Sequence, residues 1–171
     1  HTKLEGEQLI AQHCQKHRNF ITSWVYAAGG GNFSKTVLRR AQERERLTVI
    51  DDQWGAPTGA ELIADVTAHA VRQVLQRPVG LHGEAGIYHL AASGQVSWNL
   101  YAKHVLAQAA QAQPAIELVA KEVAPVPTSA FPTPARRPHN SRLNTEKLQA
   151  TFDLHLPPWQ QGVDRMLAEI L

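Results

Sequence analysis

Short apolar, β-branched or aromatic runs alternate with stretches of helical period along these 171 residues, and that alternation constrains the fold more than any single motif. Thr2 to Lys16 place Leu4, Leu9, Ile10 and Cys14 on one helical face. "NFITSWVYA" follows as a strand, closed by Gly29–Gly31. A helix over Phe33–Arg46 then has Asn32 as its N-cap and Arg39 and Glu43 at i,i+4 on its wet side. "LTVI" reads as a buried parallel strand running into the loop "DDQWGAPTG". Glu61–Gln76 is a helix burying Ile63, Val66, Ala70 and Val74, and Pro78 with its neighbouring glycines marks a connection. "GIYHLAA" is a strand, "SWNLYAKHVLAQAAQ" a helix capped by Ser97, and "AIELVAKEV" a further strand. Pro125, Pro127, Pro132, Pro134 and Pro138 exclude regular structure from Ala124 to Arg142. One helix starts at Asn144, and another follows Pro157 and Pro158 with Trp159, Val163, Met166, Leu167 and Ile170 on one side. Strands alternating with helices imply an α/β protein with a mostly parallel sheet.

Bulk properties narrow the function. A hydrophobic content of 43% with 19% charged residues is that of a globular domain with a real core. No apolar run approaches the roughly 20 residues that span a bilayer, and no leader is visible, so the expectation is a cytoplasmic protein with no membrane partner. The single cysteine, Cys14, excludes an intrachain disulfide and fits a reducing compartment. A net charge of +2, with basic residues mostly dispersed, argues against nucleic acid as a partner.

Residue types alone leave several sites open. His13 and His17 stand at i,i+4, a spacing that holds a metal on one helical face or simply displays two polar side chains to water. Arg136, Arg137 and Arg142 lie in a proline-stiffened loop with Asn140 and Ser141. They suit either bidentate binding of a phosphate or carboxylate, or the pinning of that loop to the protein's own acceptors. Strand alternation puts Trp24 and Tyr26 on one face, as a stacking surface for a sugar or base or as core. In "DDQWGAPT", Asp52, Gln53 and Thr58 matter if they face the same cleft.

Taken in order, "TKLEGE", "TSWVYA", "NFSKTVLRRAQERERLTVIDDQWGAPTGAEL", "GIYHLAASG" and "TPARRPHNSRLNTEKL" resemble the second half of the dTDP-4-dehydrorhamnose reductase family, extended short-chain dehydrogenases/reductases, over essentially the whole chain. The resemblance implies the C-terminal part of a Rossmann-type NAD(P)-binding domain, carried by residues 1–23 and 46–80. A smaller α/β sugar-nucleotide domain would occupy 24–45 and 81–171. It implies reduction of the 4-keto group of dTDP-4-dehydro-L-rhamnose with NADPH or NADH. A related reductase or epimerase acting on another sugar nucleotide, or a non-catalytic nucleotide-sugar-binding fragment, is the alternative.

The resemblance also implies roles. Lys3 matches the lysine of a Tyr-x-x-x-Lys pair, whose ammonium lowers the phenol pKa and reaches the nicotinamide ribose. The tyrosine would stand two positions before His1, and no glycine-rich nucleotide loop is present, so these residues alone are expected to be inactive. Trp24 matches a tryptophan lining the deoxysugar site. Tyr26, Asp52, Gln53, Thr58, Arg136, Asn140 and Ser141 fall near the substrate cleft, and Glu61 and Glu169 align with glutamates that bridge a homodimer through Mg²⁺ in some members. Ile21 departs from the family's usual arginine, implying that a local polar contact is lost or that its partner lies in the other half of the reductase.

Overall fold

The computed structural model describes residues 2–76, 85–112, 116–132, 135 and 137–171. Helix α1, Thr2–His13, forms as expected but buries none of its residues; Leu4 and Leu9 are 58% and 50% exposed. It also ends before His17, whose Nδ1 bonds the Cys14 carbonyl oxygen (2.6 Å). His13 and His17 therefore do not share a helical face, and among the described residues no three His, Cys, Asp or Glu side chains converge as metal ligands.

Strand β1, Arg18–Ile21, is followed not by a continuous strand but by a break and a separate β2, Val25–Tyr26. The cause is Trp24, whose φ of 52° lies in the left-handed region and cannot continue an extended strand. The half-buried Ile21 closes β1. Asn32 caps α2, Phe33–Glu43, by accepting from the Lys35 amide (2.9 Å), and Arg39 meets Glu43 at 3.6 Å. Strand β3, Arg46–Ile50, buries only Leu47 fully, so "LTVI" is half-buried rather than covered on both faces. Two short strands follow, β4 (Trp54–Gly55) and β5 (Thr58–Gly59), before helix α3, Ala60–Gln76, which buries Val66 and Ala70. Pro78 lies outside the described residues.

Strand β6 (Gly86–His89) and β7 (Val96–Ser97) lead into α4, Trp98–Ala109, where Ser97 Oγ accepts from the Leu100 amide at 3.1 Å. The expected strand near residue 120 is displaced into the proline-rich stretch: β8 is Glu122–Val126. Pro125 is tolerated because Val126 O accepts from Asp51 N (3.0 Å). Even-numbered residues thus turn their polar groups toward β3, and the proline nitrogen faces the free edge. Helices α5 (Glu146–Phe152) and α6 (Trp159–Ile170) complete the described chain.

The strands pair two by two, as β1–β6, β2–β5 and β3–β8 in parallel and β4–β7 antiparallel. Parallel pairing dominates as expected, but among the described residues the pairs do not join into one sheet. Two cores result. Tyr101, Val105, Trp159, Val163 and Leu167 anchor the first, between α2, α4 and α6. Tyr88, Leu90, Leu148 and Phe152 anchor the second, between β6, α3 and α5.

Candidate functional site

The loop after β3 gathers most of the site. Asp52 there receives three hydrogen bonds from one residue, Thr128: two from its amide (2.9 and 3.0 Å) and one from its hydroxyl (2.6 Å). The hydroxyl bond, then the amide bonds, hold the Asp52 carboxyl below the usual aspartate range, and His139, 3.5 Å away, adds to the effect. Gln53, buried, donates to Thr128 Oγ1 (3.0 Å) and accepts from Trp98 Nε1 (3.2 Å). Asp51 accepts from Ser97 Oγ, which ties the loop to the start of α4.

Residues 139–142 run alongside this loop. Trp54 N donates to His139 O and Ser141 N to Trp54 O, both at 2.8 Å, and Ser23 Oγ donates to Ser141 O at 3.0 Å. Asn140 Oδ1 accepts from the amide and Nε of Arg142, whose guanidinium also donates to Gln95 Oε1 (2.6 Å). Arg142 therefore pins the loop to the protein's own acceptors. Arg137 is exposed, and Arg136 lies outside the described residues.

Trp24 lies against this assembly, its indole stacked on Trp98 with centroids 3.7 Å apart and planes at 15°. Trp98 is braced in turn by Phe33 (4.6 Å). Beside them, a cavity of about 370 Å³ opens between α2 and β3, with Phe33, Trp98 and Phe131 in its apolar lining and Arg40, Arg44 and Arg46 around it. Such a site suits a flat, partly apolar group carrying negative charge.

Other expected residues lie elsewhere. Tyr26 is buried in the first core, against which the half-buried Trp24 also packs, and the left-handed backbone at Trp24 removes the strand alternation that would have put both on one face. Burial first, then the neighbouring Tyr101 and the carboxylates Glu61 and Asp164, raise its phenol pKa well above the ordinary tyrosine value. Thr58 is fully buried and accepts from Ala92 N (3.2 Å) while donating to Ala56 O (3.0 Å). Glu61 and Glu169 do approach one another, but across the Arg165 guanidinium, at 3.3 and 3.9 Å from its Nε. A fixed cation already serves both carboxylates, so this pair by itself does not fit a Mg²⁺ ion, which requires several oxygen ligands. Lys3 is exposed on α1, and no ion pair among the described residues takes its ammonium. Its ammonium is open to a ligand, as the nicotinamide-ribose contact implied by the family resemblance requires.

The structure thus brings together Trp24, Asp52, Gln53, Asn140 and Ser141, and adds Trp98, Thr128 and His139. Trp98 was legible only as the first residue of a capped helix, and Thr128 was concealed by the prolines around it.

Comparison with known proteins gives these residues a context. A family profile described as "RmlD substrate binding domain" matches residues 1–171. The chain is 57% identical over 169 residues to the dTDP-4-dehydrorhamnose reductase of Escherichia coli strain K12, covering 99% of this chain and 54% of that one. To the Burkholderia thailandensis protein of the same name it is 40% identical over 170 residues, covering 99% and 57%. Among solved structures it is similar to dTDP-4-dehydrorhamnose reductase from Bacillus anthracis in complex with NADP, with a TM-score of 0.78, 30% identity, and coverage of 98% of this chain and 53% of that one. An ortholog from Clostridium acetobutylicum superposes with a TM-score of 0.84 at 26% identity, covering 99% and 54%. The chain spans about half the length of the relatives it matches.

Proposed function

The chain belongs to the RmlD substrate-binding-domain family, and from that premise we propose that it carries the sugar-nucleotide-binding part of a dTDP-4-dehydrorhamnose reductase. The reaction is reduction of the 4-keto group of dTDP-4-dehydro-L-rhamnose to dTDP-L-rhamnose. A cytoplasmic enzyme, acting as a homodimer and supplying a precursor for cell-surface polysaccharide, belongs to the same reading. So does the interleaving of a nucleotide-binding and a substrate-binding domain. What carries the proposal is the convergence of Trp24, Asp52, Gln53, Asn140 and Ser141, from three separate segments, at one end of the β3–β8 pair. Ligands of α/β folds collect beyond the carboxyl ends of their parallel strands.

In this mechanism NAD(P)H, when bound, supplies the hydride that reduces C4 of the sugar. Lys3 would hold the nicotinamide ribose. Its ammonium also lowers the pKa of the phenol that gives the C4 oxygen its proton, from about 10 toward the working range. By family resemblance that phenol belongs to a tyrosine four positions before Lys3. Trp24 borders the deoxysugar, and the cavity floored by Phe33, Trp98 and Phe131 receives the base, with Arg40 and Arg44 near the diphosphate. The carboxylate of Asp52, held ionised by Thr128, keeps the loop after β3 in place.

The test uses the complete reductase that contains these residues. NAD(P)H consumption dependent on dTDP-4-dehydro-L-rhamnose is expected, and Lys3→Ala should lower kcat by about 10²-fold or more. Oxidation that does not require this sugar nucleotide, or full activity of Lys3→Ala, would overturn the reading.

A further inference from the structure

Trp24 combines two features that do not arise from packing alone. It is a bulky residue held in left-handed backbone, at φ 52°, and its carbonyl is fixed there by the Thr58 amide (3.1 Å). Its indole is also covered on both faces. Trp98 stacks on one at 3.7 Å. On the other lies the Cα of Gly55. A Cβ added there would meet Trp24 Cε2 at 2.6 Å, and Cδ2 and Cζ2, two of the ring atoms bonded to Cε2, at 2.9 and 3.0 Å. A nearest contact at Cε2, flanked by two slightly longer and nearly equal ones, describes an approach perpendicular to the ring.

Trp98 is itself oriented. Its indole N–H donates to Gln53 Oε1, Gln53 Nε2 donates to Thr128 Oγ1, and that hydroxyl donates to Asp52. The order of Asp52 thus reaches Trp24 through three intermediate side chains, Thr128, Gln53 and Trp98. We propose that Trp98, Gln53 and Gly55 are positioning residues that clamp the Trp24 indole, so that Trp24 meets the sugar of its nucleotide-sugar ligand by its edge and not its face. The proposal rests on the reading of Trp24 as a sugar contact. Gly55 is required by it because any side chain would intrude on the ring, and Gln53 because it fixes the rotation of Trp98.

The complete reductase tests this with Gly55→Ala, Trp98→Leu and the conservative Trp98→Phe. Gly29→Ala is the control, since a Cβ there meets nothing within 4 Å. An aromatic stack is worth enough that KM for the 4-keto sugar nucleotide should rise about 3- to 10-fold in Gly55→Ala and Trp98→Leu. The change in kcat should be smaller, KM for NADPH should stay unchanged, and Trp98→Phe, which keeps an aromatic stack but loses the bond to Gln53, should fall between Trp98→Leu and the unmodified enzyme. Independently of turnover, ¹⁹F NMR of protein containing 5-fluorotryptophan, with Trp24 assigned through Trp24→Phe, should show that resonance shifted or broadened in Gly55→Ala and Trp98→Leu but not in Gly29→Ala. A Trp24 resonance that does not move overturns the clamp. A resonance that moves while KM stays constant overturns its role in binding. Inactivity of the unmodified enzyme toward this sugar nucleotide would instead overturn the functional reading, with the resonance still deciding whether the clamp exists.

Discussion

Replacing Gly162 by alanine should destabilise the protein in one background and stabilise it in another. Gly162 lies in α6, where the Tyr26 hydroxyl presses on it: a Cβ there would stand 2.6 Å from the oxygen, with the next atom, Cζ, at 3.9 Å. The hydroxyl also packs close to Gly59, where an added Cβ would stand 3.3 Å from the same oxygen, and the tyrosine is buried, so its rigid ring can shift only with its neighbours. Alanine in a helix interior gains about 1 kcal/mol over glycine. Overpacking a rigid core typically costs about 1–3 kcal/mol. The net effect of Gly162→Ala should therefore be a loss of about 0–2 kcal/mol. Tyr26→Phe removes the one offending atom and leaves Cζ at an ordinary contact distance of 3.9 Å. In that background the same substitution should stabilise by about 1 kcal/mol, so the two changes couple by about 1–3 kcal/mol. Urea unfolding of the four proteins of this double-mutant cycle measures the coupling. Stabilisation by Gly162→Ala with Tyr26 intact, or equal effects in both backgrounds, would show that the hydroxyl does not obstruct a side chain at Gly162.

Ser97→Ala should cost about 1–2 kcal/mol in thermal unfolding, because it removes the acceptor for the Leu100 amide at the start of α4 and the donor to Asp51. Thr128→Val removes the hydroxyl bond that contributes most to depressing the Asp52 pKa, so that pKa should rise toward the ordinary aspartate value in an NMR titration of the side-chain carboxyl. The sign for stability follows: a depressed folded-state pKa gives stability that is full above the unfolded aspartate value of about 4 and is lost as pH falls through the folded value. The valine variant should accordingly lose less stability on acidification through that window, which acid unfolding followed by circular dichroism can check.

Residues whose state is set locally were legible in the sequence. Asn32 and Ser97 announce helix starts because capping depends on neighbours three residues away, and the apolar stripe of α6 repeats at helical spacing. Where the sequence reading failed, a longer-range contact decided. Nothing local in "TSWVYA" says that Trp24 takes a left-handed conformation, since what holds it there are Thr58, Gly55 and Trp98 from later in the chain. Pro125 reads as a breaker until β8 proves to be an edge on which its missing N–H is of no consequence. Helix α1 shows the reverse. Its apolar residues are spaced like a buried face, yet they stand in solvent, because periodicity identifies a face without identifying what covers it. The site residues followed the same division. Asp52 and Gln53 were singled out by their loop after a strand and by the family resemblance, whereas Thr128, which anchors both, is a residue of a type and setting that carries no signal on its own.

The proposed reaction is reduction at one carbon of one sugar nucleotide, and isotope transfer reads that directly. The complete reductase, given NADPH deuterated at the transferring position of its nicotinamide and dTDP-4-dehydro-L-rhamnose, should yield dTDP-L-rhamnose with a single deuterium on C4 by NMR. Deuterium at any other carbon, or product formed without incorporation, would rule that reaction out.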